Sequence, residues 1–286
     1  MANCMIGFPN RVDAGTLFGG DWLPALPLGQ LQKGNLGQVA RSTNLLLSST
    51  QFFMDLGSNR KIQLISFRNH NFSIGAKFRL RGYSDAARTI LIYESDWSKV
   101  WPVIYGLNVL DWKDESWWSR KYTREQREGH MSELIHIMPA SKYIRYWHVE
   151  FDDVANPAGY IQIGRVFIGP AWQPSINMSH DGASIGWETK TEVQEALSGG
   201  ESFQRRVPYR VQRFTLNYLD QDEMFTQAFE IQRQGGIDQE LLFIFDPDDT
   251  IHAIRRRFLA RMRTLSPIEF PVGTRNNVAF ELKEKI

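Results

Sequence analysis

FFMDLGSNRKIQLISFRNHN, residues Phe52 to Asn71, alternates apolar and polar side chains on either side of Gly57-Ser58-Asn59. An alternation with period two predicts half-buried strands, because successive side chains of a strand point to opposite faces. FFMDL and KIQLISFR therefore read as strands, GSN and NHNFSIG as turns, and AKFRLRGYS (Ala76 to Ser84) as the next strand. About ninety residues further on, YIRYWHVEFDDVANPAGYIQIGRVFIGPAW (Tyr143 to Trp172) behaves in the same way, preceded by HMSELIHIM. The two groups of strands read as the two ends of one β domain.

Between them the pattern is lost. Ser95 to Gly129 holds five of the nine Trp residues and reads as a long loop excursion with one short helix over Thr123 to Glu128. Upstream, Met1 to Gln38 mixes Gly, Pro and isolated apolar residues; Pro24 and Pro27 break any helical period, which predicts an extended arm. Downstream, Pro170 and Pro174 flank a change of character. SINMSHDGASIGWETKTEVQEALSGGESF reads as short strands around Gly-rich turns, and Arg205 to Leu219 as a further strand. Asp220 to Gly236 is the one helix, with Asp220 as its cap, Met224, Phe225, Ala228, Phe229 and Ile231 or Gln232 at helical spacing, and Gly235-Gly236 as its stop. LLFIFDPDD, FLARMRTLSPIEF and NNVAFELKEKI complete the chain as strands. The expected divisions are an arm over 1–38, a β domain over 39–172 and a second β domain over 173–286.

With 33 Lys and Arg against 32 Asp and Glu, the formal charge is +1, and long-range attraction to nucleic acid or to an anionic membrane is not expected. The single cysteine, Cys4, has no partner for an internal disulfide and reads as a small, partly buried thiol. No basic stretch followed by an apolar run marks a signal peptide at the N-terminus. No run of ~20 apolar residues predicts a membrane span.

Phe52, Phe53, Asp55, Leu56 and Gly57, with Tyr143, Ile144 and Arg145, and then Ile161, Ile163, Val166, Ile168 and Gly169, resemble the early and final strands of discoidin-like, or galactose-binding-like, domains. The resemblance covers roughly residues 40 to 170 and implies an eight-stranded jelly roll whose end loops bind sugars, lipids or proteins. The second half, above all SINMSHDGASIGWETKTEVQEALSGGESFQRRVPYRVQRFTLNYL with FDPDDTIHAIRRRFLARMRTLSPIEF, is similar to tail-tip (distal-tail) structural proteins of long non-contractile-tailed bacteriophages. That likeness implies a mainly β chain: an N-terminal jelly-roll sandwich, then a tail-tube-like β half-barrel or sandwich with one helix. It also implies a virion protein made in the bacterial cytoplasm, a homo-oligomeric ring, and other phage tail proteins as partners. The alternative reading is an adhesin in which the jelly roll binds a host surface glycan.

The residues offer little catalytic vocabulary. His70, His130, His136, His148, His180 and His252 lie outside any zinc-binding spacing, and His136 and His148 read as structural imidazoles within strands. Asp246, Asp248 and Asp249 near His252, and Asp152-Asp153, have the oxygens for a cation but read as strand-ending turns. Asp111, Asp114 and Glu115 lie among Trp residues without an identifiable opposing carboxylate, and no GxSxG elbow is present. A non-enzyme with no cofactor and no metal is expected. Trp112, Trp117 and Trp118 are the candidate contacts to a ligand or partner, since indoles stack on sugars and anchor interfaces; Trp97 and Trp101 are expected to pack the loop onto the sandwich. Arg257, Arg261 and Arg263 are expected on one strand face, opposite Phe258, Ala260 and Met262, as intersubunit contacts that reach the acidic turn of a neighbouring copy.

Overall fold

In the computed structural model, which describes residues 2–106, 108–179, 181–195 and 197–286, the alternating segments are strands and the fold is mainly β. The chain forms two units. The larger comprises Asn10–Ala171 with Asp249–Arg255, and the smaller comprises Met1–Pro9, Trp172–Asp248 and Arg256–Ile286.

The larger unit is a β-sandwich of the jelly-roll kind. Its main antiparallel sheet runs in the order Arg165–Gly169, Phe52–Arg68, Glu133–Asp152, Lys77–Tyr83, Leu91–Glu94, and Ala40–Arg41 pairs with Gln162–Ile163 in a small second sheet. Phe52, Met54, Leu56, Ile62 and Phe67 point into the core, where the Phe151 ring centre lies 5.1 Å from that of Phe67 and 4.7 Å from that of Phe72. Burying such side chains stabilises the fold by about 1.5–3 kcal/mol each, which is what turns the sequence alternation into a sheet.

The expected turn at Gly57-Ser58-Asn59 is not a turn. Phe52–Arg68 is one strand; between the pairs Asp55↔Tyr146 and Arg60↔Ile144 it advances five residues while its partner advances two, and the surplus bulges outward with Gly57 at φ +76°. A Gly-Ser-Asn tripeptide serves a bulge as well as a hairpin, and the long partner strand Glu133–Asp152 decides between them.

The N-terminal segment is likewise more ordered than an arm. Met5–Gly7 pairs with Leu241–Ile244, Thr16–Phe18 pairs with Phe52–Arg68, and Leu28–Gln32 is a 3-10 turn that buries Leu28 and Leu31. Met5, Ile6 and Gly7 are all buried, so this strand is covered on both faces and shows no alternation to read.

In the smaller unit Met5–Gly7, Leu241–Ile244, Arg257–Val272, Arg275–Glu284, Tyr209–Asp220 and Ser184–Glu188 lie side by side in that order, all antiparallel. The hairpin Glu192–Glu195/Glu201–Gln204 forms a separate two-stranded sheet. Asp220 caps the helical run that follows, accepting the Asp222 N–H, and Gly236 at φ +48° ends it. Its middle, Met224–Phe229, is π-helical. Met224, Ala228 and Ile231 enter the core, but Phe225 and Phe229 do not: the wider turn rotates them outward, against the expected apolar face. Cys4 is buried in this core, and burial pushes its thiol up to about 12.

Candidate functional site

The Trp-rich excursion is pinned at its base and open at its tip. Val100, Trp101, Ile104 and Tyr122 are buried in the sandwich core. The Trp101 indole N–H donates to the Phe72 carbonyl at 3.2 Å, and the Tyr122 hydroxyl donates to the Ile251 carbonyl at 2.7 Å. Arg120 holds a left-handed backbone, φ +52°, and its carbonyl accepts the N–H groups of both Ile104 and Tyr105. The helix Arg124–Arg127 follows, started by a capping box: Thr123 Oγ1 accepts the Gln126 N–H, and the Gln126 side chain accepts the Thr123 N–H.

At the tip, Trp118 is 92% exposed and Trp112 70% exposed, while Trp117 is half-buried. Gly106, Leu110, Trp117, Trp118 and Arg120 line a shallow pocket of about 190 Å³. Two largely exposed indoles thus stand in one loop, Trp112 with the Lys113 ammonium 5.4 Å from its ring centre. Of the two Trp residues expected to pack the loop, Trp101 does, whereas Trp97 stays on the surface with the Arg79 guanidinium 4.7 Å above its ring. Asp111 and Asp114 close a local turn, the Asp114 carboxylate accepting the Asp111 N–H at 2.8 Å.

A second concavity, a cleft of about 580 Å³, lies under the same excursion among His70, Trp101, Arg124, Arg127, His130 and Ser132. Sequence reading did not find it, because its residues come from the turn after Phe52–Arg68, the excursion and the approach to Glu133–Asp152. Ser132 fixes His70 at both backbone ends, its hydroxyl accepting the His70 N–H and donating to the His70 carbonyl. The His70 Nδ1 accepts the Phe72 N–H, so the neutral ring carries its proton on Nε2, which has no hydrogen-bond partner among the described residues. Burial, aided by the charge of Arg127, lowers the His70 pKa to about 3 and keeps the ring neutral. Arg127 lies over the Trp101 ring at 5.0 Å. Burial and then the neighbouring Arg124 lower its own pKa, the mark of two cations held close together.

The remaining candidates are structural by their contacts. His136 Nε2 meets the Tyr93 hydroxyl at 2.6 Å, and His148 bridges Arg81 and Gln51. Asp246 accepts the Asp248 N–H, Asp249 accepts the His252 N–H, and Asp153 accepts from Ser73 and Asn156, so these acids close turns as expected. His180 lies outside the described residues. Phe258, Ala260 and Met262 are buried, opposite Arg257, Arg261 and Arg263. Arg257 donates to the Asp246 and Pro247 carbonyls of its own chain, and Arg263 pairs with Glu188 and Glu281. Arg261 is exposed and makes no ion pair among the described residues.

No protein-family model matches the chain, and no curated protein matches it. Among solved structures, it is similar to a Streptococcus pneumoniae fucose binding module, at 14% identity and TM-score 0.37 over 56% of this chain and 94% of that one. It is similar to the lectin domain of lectinolysin complexed with Lewis B antigen, at 14% identity and TM-score 0.36 over 57% and 98%. The family 32 carbohydrate-binding module of Clostridium perfringens NanJ, in complex with galactose, gives 12% identity and TM-score 0.37 over 58% and 99%.

Proposed function

We propose that the larger unit is a carbohydrate-binding module that acts without catalysis, and that its contact surface is the tip of the Trp-rich excursion. The observation that carries this reading is the pair of largely exposed indoles, Trp112 and Trp118, beside the Trp117 pocket. A solvent-facing indole is costly to leave uncovered, and its flat face stacks on the C–H face of a sugar ring while hydroxyls at the ring edge stay hydrated. The reading rests on these residues and not on the Lewis B or galactose bound by the similar structures. Its test is a glycan array probed with the full chain and with a Trp112→Ala/Trp118→Ala variant. Binding by the parent and loss in the variant is the expected result; a parent that binds no glycan, or a variant that binds equally well, would sink it.

A second reading, compatible with the first, is that the chain is a structural part of a phage tail tip whose smaller unit assembles with other copies. The hairpin Glu192–Glu195/Glu201–Gln204 favours it. All its residues are exposed, and Val193 faces Phe203 across the strands with no core beneath either. An isolated two-stranded hairpin is marginal in water, so a neighbouring subunit is the natural cover. Phe225, Phe229 and Phe270 form another exposed aromatic group in the same unit. Immunogold labelling at the distal end of virion tails is the expected result under this reading, and absence of the chain from purified particles by mass spectrometry would exclude it.

A further inference from the structure

We propose that the cleft of His70, Arg124 and Arg127 is the site of an anionic group, a carboxylate or a phosphate, carried on a saccharide. The saccharide part of this inference rests on the carbohydrate reading above; the anion part rests on the cleft itself.

Among the described residues the lining holds two guanidiniums and no carboxylate. Among the described residues, Arg124, which is exposed, makes no ion pair, and the Arg127 side chain makes one hydrogen bond, a long one of 3.4 Å to the Thr123 carbonyl. Guanidinium groups hold a planar fork of donors that matches two oxygens of a carboxylate or phosphate. Arg127 is already oriented by the Trp101 ring beneath it, so little freedom remains to be lost on binding. Lys121 adds to the same field, since burial and then the charges of Lys99 and Arg127 disfavour its protonated form. An anion would relieve this repulsion.

His70 supplies the second, independent observation. It is 7% exposed, it lines the cleft, and its Nε2–H is a buried donor with no acceptor among the described residues. A buried donor left unsatisfied is costly, and an anion's oxygen is the acceptor that fits beside two cations. The cleft volume of about 580 Å³ is that of a small-ligand site and accommodates one or two sugar rings.

The test is calorimetric titration of the full chain with galacturonate, galactose 6-phosphate and galactose, in the parent and in Arg124→Gln and Arg127→Gln variants. At least one acidic sugar should bind ten- to a hundredfold more tightly than galactose, and each variant should lose about tenfold or more of that affinity, the effect of one charge-assisted hydrogen bond. Which acidic sugar binds separates a carboxylate from a phosphate ligand. Because Arg124 is exposed, Arg124→Gln keeps the test valid if Arg127→Gln disturbs the Trp101 packing. Equal binding of galactose and the acidic sugars would overturn the anion site and leave the carbohydrate reading intact. Binding of none of the three would also overturn it, while a positive glycan array that is lost with Trp112 and Trp118 would still support the carbohydrate reading.

Discussion

Arg210 and Glu284 form a two-point ion pair, Nε to Oε2 at 2.8 Å and Nη2 to Oε1 at 2.5 Å, with both side chains 3% exposed. They belong to the adjacent strands Tyr209–Asp220 and Arg275–Glu284 of the smaller unit's sheet. Replacing Glu284 by Gln leaves a guanidinium buried without its counter-charge. The expected loss is about 3–5 kcal/mol in urea unfolding, whereas Glu230→Gln, which breaks the exposed, solvent-screened pair with Arg233, should leave the parental stability unchanged. A Glu284→Gln protein of parental stability would show that the pair does not hold the sheet.

The two exposed indoles and the buried one separate binding from folding. Trp112→Ala and Trp118→Ala remove side chains that contribute little to the core, so unfolding free energies should stay within about 0.5 kcal/mol of the parent. Trp147, fully buried in the sandwich, should cost about 3–5 kcal/mol when cut to Ala. Denaturant unfolding of the three variants checks the contrast. A large loss at Trp118 would mean that the tip of the excursion is a folding element and not a free surface.

How far the sequence carried this picture can be followed residue by residue. Strands with one better-covered face were legible: Phe52, Met54 and Leu56 are buried and alternate with the half-buried Phe53 and Asp55. Met5 and Ile6 were not, since a strand buried on both faces has no period-two signal. The Gly57 bulge reads as a turn in the sequence because bulge and turn ask for the same left-handed glycine, and the difference lies in a partner strand some ninety residues away. The exposure of Trp118 beside the half-buried Trp117 follows the chemistry of adjacent indoles, whose side chains diverge. The His70 cleft was out of reach. Its residues are far apart in the chain, and the only local sign, Arg124 and Arg127 three residues apart on a short helix, is common on solvated surfaces.

His70 should make the larger unit sensitive to acid. Its pKa is about 3 in the fold against the 6.5 of a free imidazole, and His148, lowered mainly by burial, stands at about 4. Below pH 6.5 the unfolded chain takes up protons that the folded chain refuses. The stability these neutral rings contribute is therefore full above pH 6.5 and is lost progressively as pH falls toward 4 and 3, by about 1.4 kcal/mol per pH unit for each ring over that window. Urea unfolding between pH 7 and pH 5, above the main carboxylate range, should show this slope. His70→Phe should reduce it by about one proton, and an unchanged slope in that variant would mean that His70 is protonated in the fold.

Thr123 is the residue on which the arginines of the cleft depend. The helix Arg124–Arg127 is a single turn, too short to persist alone, and its start is held by the reciprocal bonds between Thr123 and Gln126. The Gln126 amide also meets the Tyr105 hydroxyl at 3.1 Å, tying the cap to the base of the excursion. Thr123→Ala removes the hydroxyl that accepts the Gln126 N–H and should cost about 1 kcal/mol, whereas Thr123→Ser keeps it and should cost less. Because the buried anchors Trp101 and Tyr122 are untouched, the loss should be local. Hydrogen exchange of residues 124–128 should speed up in Thr123→Ala, while the strands Phe52–Arg68 and Glu133–Asp152 keep their parental protection. Acceleration across both strands would show instead that the cap supports the whole sandwich, and no change at 124–128 would show that packing, not the capping box, holds Arg124 and Arg127 in place.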